Sequence, residues 1–300
     1  MKEINIALNG KNDILELVNQ AESSFEARLD EAADKIVHSG VSCILLSGPT
    51  CAGKTTTAQK IISEFNNIGK DVTVISIDDF FKDVRDTRVV KKDKKIDYDS
   101  VDVLDLDELR KCIESIRVGN IINVPTFDFL TQSRTGYKQY EISENGVIIF
   151  EGIQAVYPEI TALFKQEYIG IFIDVCEDVK INGEVFKKEE IRLIRRIVRD
   201  RKFRGASADF TFYLWESVRE NEEKSIYPNK SVCTVMLDSF LEYEIFLMKS
   251  YIKEALSELP SDSHYLEKAE RLLKKFDNIQ EISYDYIPEN SLYTEFLGKK

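Results

Sequence analysis

The sequence predicts an α/β protein: a parallel sheet flanked by helices, with helical extensions at the N- and C-terminal ends. Three observations carry that prediction. Short β-rich runs alternate with helical patterns between residues 41 and 187, and a glycine-containing loop joins the first run to a helix. Beyond about residue 187 the patterning is helical almost throughout. Parallel neighbours need crossover connections, so the alternation covers both sheet faces with helices and leaves ligands to the carboxyl ends of the strands.

The elements follow in order. Apolar spacing predicts a helix from about Lys11 to His38. The runs 41–47, 72–77, 121–126, 146–150 and 169–174 read as strands, with a helix from Thr55 to Phe65 after the first. Helices are expected over 187–203, 208–223, 239–257 and 262–277, interrupted by Tyr227-Pro228 and a short apolar run at 232–236. The tail after Asn278 carries Tyr284, Tyr286, Ile287, Leu292, Tyr293 and Phe296, too much apolar surface for a solvated segment, so it is expected to pack back on the body. The resulting organisation is an N-terminal helical extension (1–40), a core (41–238) and a C-terminal helical extension packed on it (239–300). The amphipathic C-terminal helices suit either a cap on the core or the interface of a homo-oligomer.

Composition removes several function classes. Of 300 residues, 41 are basic and 53 acidic, and the net charge of −12 disfavours a general nucleic-acid or anionic-membrane surface. No apolar run approaches the roughly 20 residues of a membrane span, and the N-terminus Met-Lys-Glu-Ile-Asn lacks a signal-peptide pattern, so a cytoplasmic protein is expected. Cys43, Cys51, Cys112, Cys176 and Cys233 are scattered without a C-x-x-C, which points to reduced thiols rather than a disulfide framework or zinc site. His38 and His264 lie in helix-like flanks and suit surface or packing roles.

Gly48-Pro49-Thr50-Cys51-Ala52-Gly53-Lys54-Thr55 fits G-x-x-x-x-G-K-[ST], and its place between strand and helix makes the sheet one of the P-loop NTPase type. Glycines let the backbone wrap its N–H groups around phosphate oxygens, Lys54 reaches the outer phosphates, and the Thr55 hydroxyl suits Mg²⁺. Residues Gly48 through Thr56 are therefore candidate phosphate ligands for a nucleoside triphosphate. Cys51, inside this loop, is open to two readings: a thiol activated by loop dipoles and Lys54, or a small residue the loop tolerates.

Carboxylates follow two of the strands. Asp78-Asp79 ends the run 72–77, and Asp78 is a candidate general base for an attacking hydroxyl that also touches the Mg²⁺ shell; an Asp pair here equally suits a helix cap. Glu151 ends the run 146–150 and could complete the Mg²⁺ environment. Farther on, Arg192, Arg195, Arg196 and Arg199 recur at three- and four-residue steps, giving a cationic face while Ile194, Ile197 and Val198 turn away. Such a stripe on an acidic protein suits either a mobile lid closing over phosphates or a solvated face relieved by Glu189, Glu190 and Asp200.

Gly48 to Thr55, Ile75-Ser-Ile-Asp-Asp-Phe-Phe81, Asp97 to Asp105, Val124-Pro-Thr-Phe-Asp-Phe129, Phe150-Glu-Gly-Ile153 and Arg195-Arg-Ile-Val-Arg-Asp200 with Arg204-Gly205 occur in one order. In that order they resemble the uridine kinase and phosphoribulokinase family over about residues 41–238. The likeness is closest to bacterial uridine kinase-like proteins whose longer versions carry a preceding TGS-type domain. With about 40 residues ahead of the kinase region, that domain is expected to be missing or reduced.

The resemblance implies transfer of the γ-phosphoryl of ATP or GTP, with Mg²⁺, to the 5′-hydroxyl of a ribonucleoside, uridine or cytidine first. It implies that Asp78 is the general base, that Thr55 and Glu151 serve the metal, and that Asp99 holds ribose hydroxyls. Arg196 and Arg199 match lid arginines, with Arg196 also facing the substrate, and Arg204 matches the first arginine of an Arg-Gly-Arg element whose second member is Ala206 here. Where uridine-cytidine kinases typically show Tyr-Asp-Phe and then His-Ser-Arg, this chain has Phe127-Asp128-Phe129 and Gln132-Ser133-Arg134. Phe127 lacks a hydroxyl and Gln132 replaces an imidazole, which leaves stacking and amide hydrogen bonding for base recognition, and Phe127, Gln132 and Arg134 are the candidates for binding the acceptor there. The alternatives are another nucleoside or sugar-type acceptor, or a regulatory nucleotide-binding protein without turnover. A GTPase switch is disfavoured, since Asn229-Lys230-Ser231 is followed by Val232 and no N-K-x-D is completed.

Overall fold

A computed structural model of the chain describes residues 1–83, 91–92, 95–96, 98–118, 121–129, 131–165 and 167–299. Among them the chain runs β1 (Lys2–Ile4), α1 (Lys11–Ser39), β2 (Cys43–Ser47), α2 (Lys54–Asn67), β3 (Val72–Ser76), β4 (Lys91–Lys92), β5 (Lys95–Ile96) and α3 (Leu106–Val118). It continues through β6 (Ile121–Asp128), β7 (Ser133–Glu141), β8 (Val147–Glu151), α4 (Pro158–Thr161), β9 (Ile169–Asp174), β10 (Val179–Ile181) and β11 (Glu184–Phe186). The helical part holds α5 (Lys188–Arg204), α6 (Ala208–Asn221), α7 (Glu244–Ser257), α8 (Leu266–Lys274) and α9 (Thr294–Leu297), with β12 (Val235–Asp238) set among them.

The central sheet has the order β12-β9-β2-β8-β3, and every neighbouring pair is parallel. Its inner strands are apolar up to their polar carboxyl-end residues because both faces are covered: Ile44 and Leu46 of β2 enter one hydrophobic cluster and Leu45 the other. The first cluster takes in α1, α2, α5, α7 and the tail, and the second lies under α3 and the 150–164 segment.

Two strand expectations change. The run 121–126 is not in the parallel sheet: β6 pairs antiparallel with β7, and its residues alternate between exposed Ile121 and Asn123 and buried Ile122 and Val124. A strand buried on one face suits a hairpin lying on the body, whereas a central parallel strand is buried on both. The apolar run at 232–236, read as a break between helices, supplies β12, the edge strand beside β9. β1 was not anticipated; it pairs with β10, which pairs with β11, in a small separate sheet. Helix starts follow ordinary capping chemistry: Glu190 accepts from the Lys187 N–H at the head of α5, and Ser207 Oγ from the Phe210 N–H at the head of α6.

Candidate active site

The strand order places three functional loops side by side. β2, β8 and β3 are consecutive in the sheet, and their carboxyl ends carry the glycine loop, Glu151 and Asp78. The register pairs Ser76 with Glu151, and Ser76 Oγ donates to Glu151 Oε1 at 3.3 Å. The glycines at the two ends of the loop are required for different reasons. A Cβ on Gly48 would lie 2.0 Å from the Ile173 carbonyl oxygen, and Gly53 adopts φ +94° with Leu292 Cδ1 2.5 Å from where its Cβ would be. Between them Pro49, Thr50, Cys51 and Ala52 form the turn, closed by an Ala52 N–H to Pro49 carbonyl bond of 3.3 Å. Lys54 Nζ donates to the carbonyls of Gly48 and Pro49 at 2.9 and 3.1 Å. Thr55 is exposed at the start of α2, and Thr56, the next residue, is buried.

Asp78 sits in the single 3₁₀ turn Ile77–Phe80 that follows β3. Burial, followed by the charge of Glu151, pushes its carboxyl up to about 7, with Lys54 pulling the other way. Burial also raises Glu151, opposed by Lys54 and the Ser76 hydrogen bond. Two partly buried carboxylates that repel each other, with a threonine hydroxyl exposed at the start of α2, are oxygen donors of the kind that suits Mg²⁺ completed by water and phosphate oxygens. Thr55, Glu151 and Asp78 are the residues that would hold it. No cluster of three His, Cys, Asp or Glu side chains that could hold a metal by themselves occurs among the described residues.

Asp99 lies close enough to Asp78 for its charge to contribute to that raised value. Its segment is tied down from the connection after β8: Gln154 Nε2 donates to the Tyr98 carbonyl at 2.8 Å, and the Tyr157 hydroxyl to the Asp99 carbonyl at 3.0 Å. Asp97, at the start of the same motif, lies outside the described residues. Phe127 joins Phe81, Tyr98 and Phe129 in a quartet of edge-to-face rings with centroids 5.0–6.2 Å apart. Asp79 Oδ1 accepts from the Phe127 N–H at 3.3 Å, fixing the hairpin to the turn that bears Asp78.

Two members of the expected acceptor set are placed differently. Gln132 is exposed at the hairpin tip with φ +51°, outside the aromatic quartet. Arg134 is a strut: its Nε and Nη2 donate to the carbonyls of Phe81 and Phe80 at 3.0 and 3.3 Å, and Nη2 pairs with Asp105 at 3.2 Å. Reach decides this, since a long guanidinium on β7 extends to the carbonyls that end the 3₁₀ turn, of which that of Phe80 also accepts from the Asp105 N–H at 2.8 Å.

The arginine stripe divides. Arg192 and Arg195 are fully buried. Arg192 forks onto Glu222 at 2.6 and 2.8 Å and lies 3.2 Å from Asp174; Arg195 holds Glu244 through Nε and Nη2 at 2.6 and 2.8 Å. Both also steady the glycine loop, Arg192 through the Thr50 carbonyl (3.3 Å) and Arg195 through the Cys51 carbonyl (3.1 Å). A helix pinned by two such pairs and packed against α6, α7 and α9 is part of the body, which corrects the mobile-lid expectation for α5 as a whole. Arg196, Arg199 and Arg204 converge instead on Asp200, at 3.3, 2.7 and 3.5 Å. Burial and repulsion from Arg199 lower the pKa of Arg204. Three guanidinium groups around one carboxylate leave a local positive excess near the glycine loop, which favours anions. Cys51 is buried with φ +57°, a placement that suits a tolerated loop residue rather than an accessible thiol.

Residues with no sequence signal for the site are Gln154, Tyr157 and Glu295, whereas Asp200 is among the acids expected to relieve the arginine face and does so. Glu295 Oε2 accepts from Thr56 N and Thr56 Oγ1 at 3.3 and 3.1 Å across 239 residues of chain, a contact no local pattern announces.

A family model described as Phosphoribulokinase / Uridine kinase family matches residues 43–245. The chain is 33% identical over 175 residues to the uridine kinase of Mycoplasma genitalium, covering 58% of this chain and 74% of that protein. It is 26% identical over 265 residues to the uridine kinase of Saccharomyces cerevisiae, covering 85% of this chain and 49% of that protein, about half its length. In fold it is similar to the solved structure of the YGR205w protein, with a TM-score of 0.51, 14% identity, and coverage of 71% and 90%.

Proposed function

Because the chain belongs to the phosphoribulokinase/uridine kinase family, and is thus a phosphotransferase acting on a hydroxyl acceptor, we propose that it moves the γ-phosphoryl of ATP or GTP to the 5′-hydroxyl of a ribonucleoside, uridine or cytidine first. The observation that carries the reading is Asp78: a carboxylate held near neutrality at a strand end, flanked by Lys54 and Glu151. A general base works best when its pKa lies near the working pH.

In this reading the N–H groups of Gly48 to Thr56 cradle the phosphates of the donor, and Lys54 moves from its loop carbonyls to the outer phosphates. Asp78 accepts the proton of the 5′-hydroxyl as that oxygen attacks the γ-phosphorus, and the bond to the departing nucleoside diphosphate breaks. Arg196, Arg199 and Arg204 neutralise charge on the transferring group, Asp78 and Arg196 also face the acceptor, and Asp99 accepts ribose hydroxyl hydrogen bonds. Thr55, Glu151 and Asp78 would hold Mg²⁺, which would supply neutralising charge to the donor phosphates. The rings of Tyr98, Phe127 and Phe129, backed by the buried Phe81, offer the base edges and faces for stacking. Relatives named uridine kinase and uridine-cytidine kinase support a pyrimidine nucleoside as acceptor.

Gln132 at the exposed tip and Arg134 tied to the backbone favour a second reading, in which another nucleoside or a sugar is the acceptor, because polar base readers are few. ADP release from Mg-ATP against ribonucleosides, deoxyribonucleosides and free pentoses, with products identified by mass, tests both. Turnover confined to uridine and cytidine is expected. Turnover on other acceptors moves the substrate, and silence despite ATP binding overturns the enzyme reading in favour of a regulatory nucleotide binder.

A further inference from the structure

Glu295 is the residue that the kinase chemistry leaves unexplained. It belongs to α9, and its carboxylate takes both hydrogen-bond donors of Thr56. Thr56 N lies in the first turn of α2, where N–H groups have no intrahelical carbonyl and where a phosphate-binding loop meets its anion. The carboxylate is therefore seated where a donor phosphate oxygen would bind, and its charge reaches both Glu151 and Arg199.

The seat is built from several elements. Ser291, Leu292, Tyr293, Phe296 and Leu297 are all fully buried, and Leu292 lies against Gly53. Tyr243 bonds Ser291 Oγ at 2.9 Å, and the Arg195 guanidinium lies over the rings of Tyr293 and Phe296 at 5.8 and 5.3 Å. Glu295, in contrast, is half-exposed, so its side chain can swing away while the backbone that carries it stays packed.

We propose that Glu295 is a further determinant of the nucleotide site, an internal carboxylate that competes with donor phosphate for Thr56 and so sets the affinity for nucleotide. The proposal rests on the reading that the Gly48–Thr56 loop takes those phosphates. It makes the site selective: an anion must outbid a tethered carboxylate, which a ligand presenting several phosphate oxygens and Mg²⁺ does and a simple anion does not.

The test is the affinity of the full chain for Mg-ATP, inorganic tripolyphosphate and adenosine by calorimetry, in wild type, Glu295→Gln, Glu295→Ala and Lys54→Ala. Both Glu295 variants are expected to bind Mg-ATP and tripolyphosphate more tightly, Glu295→Ala by roughly tenfold, the scale of one hydrogen bond to a charged group. Adenosine affinity should not change. Equal or weaker triphosphate binding in a folded Glu295 variant overturns the proposal, and because Gln keeps the shape of Glu the test survives should Glu295→Ala fail to fold. Lys54→Ala separates the two ideas: undiminished triphosphate binding there overturns the phosphate-loop reading, and the proposal with it, whereas lost binding there with no gain in Glu295→Gln overturns the proposal alone.

Discussion

Asp78 shows how one residue links catalysis to stability. Its folded pKa of about 7 lies above the ordinary aspartate value of about 4 because burial and Glu151 disfavour its charge. The folded protein thus keeps a proton that the unfolded chain releases, and stability contributed at this site falls as pH rises from about 4 to about 7. Asp78→Asn should therefore leave stability unchanged at pH 4 and raise it at pH 8 by up to about 4 kcal/mol, read by urea denaturation without nucleotide. The same substitution should lower kcat by about 10²–10⁴-fold with Mg-ATP binding retained. In the wild type, kcat/KM should rise with pH toward about 7 and then level; a flat profile there would remove Asp78 from the base role. Asp78 could be singled out from its strand-end position, but its company could not. Asp79, Gln154 and Tyr157 act through contacts 48 to 58 residues distant in sequence.

At the scale of elements, α5 and the β6–β7 hairpin make the argument. Helical periodicity places Arg192, Arg195, Arg196 and Arg199 near one another but is silent on what they meet. Asp174, Glu222 and Glu244 come from β9, from the turn after α6 and from α7, and they convert two arginines into internal anchors. Breaking such a pair strands a buried charge, so Glu244→Leu should cost about 3–5 kcal/mol in chemical denaturation. Arg195→Met in the same chain should recover part of that loss, and no recovery would show that Arg195 acts mainly through Ser239 and the Cys51 carbonyl. In the hairpin, Arg134→Ala frees β7 from Phe80 and Phe81 without touching the donor site. It should raise KM for the acceptor several-fold with little change in KM for Mg-ATP, which steady-state kinetics with both substrates varied would check.

At the scale of the whole molecule, the terminal segments belong to the body. Phe25 of α1, Ile61 of α2, Ile197 of α5 and Phe296 of α9 lie in one buried cluster. Tyr243 bridges the ends, donating to Glu22 at 2.5 Å and bonding Ser291 at 2.9 Å. Phe25→Ala should therefore destabilise by about 3–5 kcal/mol and lower a single cooperative transition. A separate early melting of the N-terminal helix, with the remainder unshifted, would mean that the extension is independent. No helix among the described residues is long and apolar enough to cross a membrane.

By itself the sequence determined the α/β class, the glycine loop with its lysine and threonines, and the strand-end acids. Each is local: a period, a loop of eight residues, or a side chain one step past a strand. Tertiary structure alone decided that the 121–126 run is a hairpin, that the 232–236 run closes the sheet edge, which arginines are anchors, and that a C-terminal carboxylate rests on the phosphate loop. These depend on which distant groups share a buried space. Hydrogen bonding and charge pairing there are set by packing, and no spacing along the chain encodes them.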